Sequence, residues 1–360
     1  MFGASRRPRV TTDLTYRGID ATVLENEHLR VLVLPGKGGD ILEFRDKRTD
    51  VDVLWHANHN WQPPESRYVP SEAKTTWLDH YPGGWQMNLP IAGFGREIEG
   101  NAYGLHGESA LVPWDCEVVR NDADAATVRL TTELVRYPFE LERELRLPAG
   151  ESTLRVTETI TNLGGVDLEY IWQQHVALGR PLLDPAARLD VPAGRGVTES
   201  DDEGFKNGRI APNREFDWPE APTRDGGTTD LREIPPESAE IHDLTYATDL
   251  DGGWYALTNP EIDLGFGFSF PTDPFECVWF WQALGGFHES PYFNRNYNVG
   301  LEPTTAYPSD GIPDAQRENG TMKTLGAGES ISAEFAATTF GGHEGVSAVA
   351  PDGSVMGLDG

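Results

Sequence analysis

Cysteine and basic side chains are scarce in this sequence. Cys116 and Cys277 are the only cysteines among 360 residues, and neither lies in a Cys-x-x-Cys pair. A disulfide framework and a cysteine zinc site are therefore not predicted. Lysine and arginine number 29, against 58 aspartates and glutamates. Because nucleic acids and anionic membranes are bound by clustered Lys and Arg, the composition argues against both as partners.

Long hydrophobic runs are also missing. No stretch approaches the roughly 18 apolar residues of a membrane-spanning helix, and no apolar segment follows the basic start, MFGASRR. We therefore expect a reduced, cytoplasmic, soluble protein. The formal net charge of −29 is spread along the chain, which favours adaptation to a saline cytoplasm. An ordinary acidic protein is the alternative.

No long stretch has convincing helical periodicity, whereas strand signals are frequent. Residues 29–34 and 41–44 flank a Pro-Gly turn, and residues 127–178 have the alternation and turn spacing of a meander. The stretch 264–270 alternates with glycine, which predicts a strand that another backbone approaches closely. Residues 329–340 are the predicted last strand.

These signals predict an antiparallel all-β protein with one domain over residues 1–345. Within the meander, residues 170–178 are expected to form the closing strand. Residues 198–240 are polar, acidic and rich in Pro, Gly and Thr, and strand-like sequence resumes after them. We interpret them as a long surface excursion. Residues 346–360 are expected to form a loose acidic tail.

Three residues far apart in sequence carry the side chains needed to move protons near neutral pH. His106 lies in YGLHGE, between glycines that allow a tight turn, and His175 follows Gln173 on one face of a predicted strand. Glu302 lies in VGLEP, where Pro303 favours an extended backbone before it. Two imidazoles and a carboxylate can act as acid and base without a metal or cofactor. Each also has a structural alternative, as a turn histidine, a strand histidine or a strand-end glutamate.

Together these segments resemble the aldose 1-epimerases of the galactose mutarotase-like superfamily. Residues 105–108, LHGE, with Trp114 behind them, are similar to the Leu-His-Gly-Gly segment that supplies one histidine of that family. Gln-His at 174–175 takes the place of its second histidine, and Leu-Glu-Pro at 301–303 matches the segment of its glutamate base. The resemblance runs over residues 20–340. It implies a β-supersandwich of antiparallel sheets, with no cofactor and no metal.

The resemblance also implies an activity, the interconversion of α and β anomers of an aldose by ring opening and reclosure. Glu302 would take the proton of the anomeric hydroxyl, and protonated His175 would give one to the ring oxygen. His106 would orient the sugar and stabilise charge that develops on oxygen. The partner would be a small sugar, and a homodimer is compatible with the sequence.

Candidates for holding the sugar come partly from the family and partly from residue chemistry. The family has an aspartate that binds sugar hydroxyls, and Asp243 is its candidate here. The Gly-Arg-x-x-Asn-Arg stretch that carries a family arginine is absent, and DHYPGGWQMN at 79–88 stands upstream of His106 instead. Aromatic rings and planar amides suit sugars. The further candidates are Trp281, Gln282, Trp85, Gln86 and Arg295. Because Trp279 and Trp281 share one strand face, an aromatic core is the alternative for them.

Two alternatives keep the same fold. A hexose-6-phosphate 1-epimerase would need basic residues at the mouth of its pocket, and Lys206, Arg209 and Arg295 are the candidates. A non-catalytic carbohydrate-binding protein would keep the aromatic rings and need neither His175 nor Glu302.

Two further alternatives change the chemistry. A glycoside hydrolase needs two carboxylates across the scissile bond; Glu289 and Glu302 could supply them, but the histidines would have no role. A metal site could be built from His106, His175 and Glu302, but the sequence offers no short-spaced pair such as His-x-His.

Overall fold

Antiparallel β-strands dominate the computed structural model, which describes residues 7–64, 73–200, 204–309 and 313–358. The helices of the described part are α1 (Ala73–Asp79), α2 (Pro313–Glu318) and three short 3-10 turns at Ser109–Leu111, Glu237–Ala239 and Pro260–Ile262. None of these helices is long and apolar enough to cross a membrane. The strands are β1 (Arg9–Tyr16), β2 (Ile19–Glu25), β3 (Leu29–Leu34), β4 (Asp40–Asp46), β5 (Val51–Asp52), β6 (Trp85–Asn88), β7 (Arg96–Ile98), β8 (Asn101–Tyr103), β9 (Asp115–Asn121), β10 (Ala125–Glu133), β11 (Phe139–Pro148), β12 (Thr153–Asn162), β13 (Leu168–Tyr170), β14 (Gln173–Gly179), β15 (Arg188–Asp190), β16 (Ala193–Thr198), β17 (Glu215–Asp217), β18 (Glu220–Pro222), β19 (Thr228–Asp230), β20 (Ile241–Leu250), β21 (Trp254–Asn259), β22 (Leu264–Ser269), β23 (Cys277–Leu284), β24 (Tyr297–Thr304), β25 (Lys323–Leu325), β26 (Ser330–Phe340), β27 (Val346–Val349) and β28 (Val355–Gly357).

Two large sheets account for most of these strands. The larger sheet has 12 strands in the order β1-β2-β3-β4-β6-β14-β24-β23-β20-β16-β17, with β5 paired to β4. The smaller sheet has eight strands in the order β15-β21-β22-β26-β12-β11-β10-β9. Four two-stranded ladders complete the described structure. The predicted all-β supersandwich of antiparallel sheets is confirmed.

The main hydrophobic core contains side chains from both large sheets. Phe44 on β4 meets Phe266 on β22 edge to face, with ring centroids 5.5 Å apart, and Trp85 on β6 meets Phe268 on β22 at 5.0 Å. Such aromatic pairs add about 0.5–1.5 kcal/mol each beyond the area they bury. Leu145 on β11 is fully buried, as the alternation of the meander predicts.

A buried carboxylate in the core decides which way residues 172–175 face. Glu158 on β12 accepts hydrogen bonds from the Trp172 indole N–H at 3.1 Å and from the Gln174 amide at 2.6 Å. Strand alternation then turns Gln173 and His175 to the opposite face of the larger sheet. The prediction that Gln173 and His175 share one face of their strand is confirmed.

Two predictions about strand order are wrong. The meander of β10, β11 and β12 forms as expected, but residues 170–178 do not close it. Their strand, β14, lies in the middle of the larger sheet, between β6 and β24. Every residue of β14 is buried, and a central strand covered on both faces satisfies that pattern. The predicted last strand forms as β26, and two more strands follow it.

Those two strands also correct the predicted loose tail. Within residues 346–360, β27 and β28 form a hairpin, and Val346 and Val349 are only 1% and 3% exposed. They pack with Ala256 of β21, and the Val346 N–H donates to Asp190 Oδ2 at 2.9 Å. The turn sequence PDGS lies between two short apolar stretches, which is a hairpin signal.

The predicted excursion, residues 198–240, is also partly ordered. In its described part it holds β17, which pairs with β16 at the edge of the larger sheet, and the β18–β19 ladder. The glycines of β22 have a different role from the predicted one. The ring of Phe340, rather than another backbone, packs over Gly265, where a Cβ would lie 2.2 Å from it.

Candidate active site

His175 and Glu302 lie side by side on neighbouring strands of the larger sheet. Because Gln173 pairs with Thr304 and Val176 with Leu301 across β14 and β24, His175 and Glu302 are cross-strand neighbours. His175 Nε2 lies 3.3 Å from Glu302 Oε1, and the two residues are 3% and 2% exposed. The structure thus brings the predicted acid and base within proton-transfer distance.

Neighbouring side chains hold the Glu302 carboxyl group in place. Its Oε2 accepts a hydrogen bond from the Gln173 amide at 3.0 Å, and Gln173 Oε1 accepts one from Asn88 at 2.9 Å. Its Oε1 lies over Gly300, two residues earlier on the same face of β24. A Cβ at that position would lie 2.2 Å from this oxygen. Only glycine leaves this space, which explains why it precedes the Leu-Glu-Pro segment.

Burial acts in opposite directions on the two members of the pair. It lowers the pKa of His175 to about 3 and raises the pKa of Glu302 well above its usual value. Both shifts favour the neutral form, because a dry site penalises charge. In the unliganded cavity burial thus disfavours the ion pair of a Glu302 carboxylate and a His175 imidazolium. The sequence predicts a protonated His175 as the acid, and the direction of its pKa shift opposes that form in the unliganded cavity.

His106 completes the group from a tight turn. Its backbone is left-handed, with φ of 59°, and a Cβ on Gly107 would lie 2.4 Å from the Leu89 carbonyl oxygen. The Gly93 N–H donates to His106 Nδ1 at 3.1 Å. Nδ1 is thus the acceptor, and the neutral ring carries its proton on Nε2. Burial, together with His175 nearby, lowers the pKa of His106, so Nε2–H is a neutral donor.

The three residues share one open cavity, whose empty space of about 720 Å³ includes open solvent. His106 and His175 have ring centroids 5.1 Å apart, and Trp77 of α1 lies 4.4 Å from the first and 5.3 Å from the second. The described lining contains no lysine or arginine. It consists of Trp77, Leu78, Gly93, Phe94, Leu105, His106, His175, Gly204, Phe205, His242, Leu244, Trp279, Trp281, Phe287, Glu289, Glu302 and Ser309.

Of the six predicted sugar-binding residues, Trp281 alone lies among the described residues of the cavity wall. Trp85 is instead fully buried in the core, stacked under Arg143 at 4.9 Å. Gln86 on β6 is the register partner of His175 on β14, and its buried side chain donates to Asp40 Oδ2 at 2.7 Å. Neither side chain lines the cavity, contrary to the prediction.

Asp243, Gln282 and Arg295 also lie outside the described cavity wall, contrary to the prediction. Asp243 and Gln282 are register partners on β20 and β23, and Arg209 binds both, at 3.0 and 2.9 Å. Alternation explains this, because their neighbours His242 and Trp281 face the cavity. Arg295 lines a separate groove and donates to the Tyr292 carbonyl at 3.1 Å.

Several aromatic residues of the wall are not among the predicted site residues. His242 stacks on Phe287 at 4.4 Å with an interplanar angle of 19°, and Phe205 lies 4.7 Å from its ring. The indole N–H of Trp281 donates to His242 Nε2 at 3.1 Å. Phe205 lies in the excursion and Trp77 on α1, and neither has a motif around it. The described residues contain no group of three or more His, Cys, Asp or Glu side chains that could hold a metal ion.

The two large antiparallel sheets form a galactose mutarotase-like fold. The chain belongs to the family described as Domain of unknown function (DUF4432), whose profile matches residues 16–338. No curated protein matches the sequence.

Several solved structures share the fold. A candidate aldose 1-epimerase from Klebsiella pneumoniae has a TM-score of 0.69 and 17% identity, covering 93% of this chain and 83% of its own. A galactose mutarotase-like protein from Clostridium acetobutylicum has a TM-score of 0.66 and 14% identity, covering 94% of this chain and 100% of its own. A candidate aldose 1-epimerase from Escherichia coli K12 has a TM-score of 0.61 and 18% identity, covering 90% and 100%. At these identities the likeness concerns the fold.

Proposed function

We propose that this protein is an aldose 1-epimerase, which interconverts the α and β anomers of an aldose. The observation that carries the proposal is the buried pair of Glu302 and His175, 3.3 Å apart in an open, aromatic-lined cavity. Mutarotation needs one proton donor and one proton acceptor on the two oxygens of a hemiacetal, and a pair that holds a single proton supplies both.

The reaction then runs in two balanced halves. In ring opening, neutral His175 takes the proton of the anomeric hydroxyl while Glu302 gives its proton to the ring oxygen, and the C1–O5 bond breaks. This leaves a carbonyl at C1, a hydroxyl at C5, a carboxylate and an imidazolium. After rotation about C1–C2, the carboxylate takes the C5 hydroxyl proton and the imidazolium protonates the carbonyl oxygen. The ring closes as the other anomer, and the pair returns to its first state.

His106 and the aromatic wall act on binding and orientation. His106 has a neutral Nε2–H donor, which suits an oxygen on which negative charge develops during ring opening. The indole rings of Trp77 and Trp281 offer apolar faces of the kind that pack against sugar C–H groups. Holding the sugar in this way converts ring opening into an oriented step within one complex.

The charges around the cavity favour an uncharged aldose over a sugar phosphate. Of the basic candidates for a phosphate, Lys206 pairs with Glu289 at the exposed rim, 2.7 Å away. Arg209 is paired with Asp243, and Arg295 lies in another groove. A carbohydrate-binding protein without catalysis would not need a buried acid–base pair. Buried ionisable groups with shifted pKa values are more typical of catalytic sites.

The test is anomer exchange of several aldoses, measured by NMR in 2 M KCl. The wild type is compared with Glu302→Gln and with Glu334→Gln, an exposed glutamate on β26 that serves as the control. Since one acid or base group contributes about 10²–10⁴-fold, Glu302→Gln is expected to lower kcat by that factor while the control matches the wild type. Exchange that survives Glu302→Gln unchanged, or no acceleration of any aldose by the wild type, would overturn the proposal.

A further inference from the structure

A second buried polar cluster borders the cavity. Glu199, which follows β16, is 4% exposed, and four donors converge on its carboxylate. Oε2 accepts from Ser309 Oγ at 2.5 Å and from the Tyr246 hydroxyl. Oε1 accepts from the Ser200 N–H at 2.6 Å and from its hydroxyl at 3.2 Å. In each of these hydrogen bonds the Glu199 carboxylate is the acceptor.

Ser309 is the member of this cluster that lines the cavity. Its hydroxyl proton goes to Glu199, its N–H donates to Tyr246 Oη at 2.8 Å, and its carbonyl accepts from the Phe94 N–H at 3.1 Å. Burial, with Glu199 nearby, raises the pKa of Tyr246 well above 10, so the phenol keeps its proton and goes on donating. The capacity left to Ser309 is that of Oγ as an acceptor.

The cluster is joined to the wall around His106. Gly93, whose N–H donates to His106 Nδ1, packs so closely that a Cβ on it would lie 2.8 Å from Ser309 Cβ. On the other side, Trp279 meets Tyr246 edge to face at 5.4 Å and lines the same cavity. Ser309 is therefore held from two sides, on the same cavity as the acid–base pair.

We propose that Ser309 is an acceptor-only subsite that recognises one hydroxyl of the sugar, with Glu199 as its positioning residue. The identity of the ligand as a sugar rests on the proposed function. A substrate hydroxyl donates to Ser309 Oγ, whereas an analogue without that hydroxyl has nothing to donate. A site built to hydrogen-bond a hydroxyl discriminates against an analogue that lacks it. Ser309 thus selects for a hydroxyl at one carbon of the ring.

The test crosses enzyme variants with substrate analogues. Anomer exchange of D-galactose, D-glucose and their 2-, 3-, 4- and 6-deoxy forms is measured for the wild type and for Ser309→Ala. Ser309→Ala is expected to lower kcat/KM for the better parent sugar about tenfold, through KM. For one deoxy analogue, kcat/KM of the wild type is expected to be lower than for the parent sugar by the same factor. With that analogue, Ser309→Ala should have the same kcat/KM as the wild type. Ser332→Ala, on the exposed face of β26, is the control and changes nothing.

Glu199→Gln tests the positioning role with a readout that a structural defect would not give. The new amide N–H donates to Ser309 Oγ and competes with the sugar hydroxyl for this acceptor, so the loss is expected for the parent sugar and absent for the same deoxy analogue. An equal effect of Ser309→Ala on every sugar, or no effect on any, overturns the subsite. If the wild type binds sugars without exchanging anomers, the proposed function fails. In that case the subsite is tested by comparing the same variants and sugars through their dissociation constants, measured by tryptophan fluorescence. If no sugar binds, both proposals fail.

Discussion

At the residue scale, Glu302 occupies a position where its charged form is disfavoured. Its folded pKa is raised, so its contribution to stability is fully present below the pKa of the unfolded chain, about 4.3. That contribution is lost as the pH rises through the folded pKa. His175 has a lowered pKa, so its contribution is present above about 6.5 and is lost as the pH falls toward about 3.

Replacing Glu302 by Gln should therefore stabilise the protein on the alkaline side. The amide keeps a similar shape and cannot ionise, so the melting temperature should rise relative to wild type by about 2 °C or more, and the gain should grow from pH 5 to pH 9. Thermal unfolding at several pH values measures this, with Glu334→Gln as the control. The same difference at every pH would show that the Glu302 carboxyl is not penalised by burial.

Gly300 offers a test of the geometry of Glu302. Alanine at this position would place Cβ 2.2 Å from Oε1 and 3.3 Å from the Trp281 ring, so the carboxyl must move away from His175. Because a misplacement of about 1 Å can lower a rate by roughly 10²-fold, Gly300→Ala should reduce kcat by about that factor with little change in KM. Steady-state anomer exchange measures both constants.

Gly194→Ala is the matched control for that variant. Gly194 is also a strand glycine, at an exposed position of β16. A Cβ added there would make only ordinary contacts, at 3.5 Å. Its kcat should equal that of the wild type. An unchanged kcat in Gly300→Ala would mean that the carboxyl can act from another position.

Some residues of the site can be predicted from the sequence, and others cannot. His106, His175 and Glu302 could be named because each lies in a distinctive segment, and the structure places all three on one cavity. Asp243 and Gln282 have suitable chemistry, but strand phase turns both away from the cavity toward Arg209. Phase is set by tertiary packing that local sequence does not contain.

At the element scale, the sequence predicts where strands lie far better than it predicts which strands pair in a sheet. β3, β4, β10, β11, β12 and β22 lie where alternation and turns predict them. The position of β14 could not be derived, because its neighbours β6 and β24 are distant in sequence. Its long-range contacts with Glu158 and Glu302 are visible only in the folded chain. The C-terminal hairpin was missed because its apolar stretches are short.

Removing that hairpin should destabilise the protein without touching the site. Deletion of residues 346–360 exposes the apolar surface under Val346 and Val349 on the smaller sheet. Burial of one such valine contributes about 1.5–3 kcal/mol, so the free energy of unfolding should fall by about 3–6 kcal/mol. Urea unfolding measures the loss, and a chain ending at Leu358 is the control. If the chain without residues 346–360 is as stable as the chain ending at Leu358, the hairpin does not pack as described and the predicted loose tail is correct.

At the scale of the whole molecule, charge repulsion is the main unbalanced interaction. The chain carries 58 acidic and 29 basic residues, so even complete pairing would leave an excess of 29 negative charges. Some acidic side chains face each other directly, as Glu133 on β10 and Glu140 on β11 do in the register of the smaller sheet. Like charges in opposed positions destabilise a sheet.

Salt should therefore stabilise this protein, and a variant can show whether screening is the cause. The screening length falls from about 10 Å at 0.1 M to about 3 Å at 1 M salt, so the melting temperature should rise by about 5 °C or more from 0.1 to 2 M KCl. Replacing Glu133 and Glu140 together by Gln removes one opposed pair. The double variant should be more stable than the wild type at 0.1 M KCl, and that advantage should shrink at 2 M. An advantage independent of salt would show that side-chain packing, rather than repulsion, limits stability there.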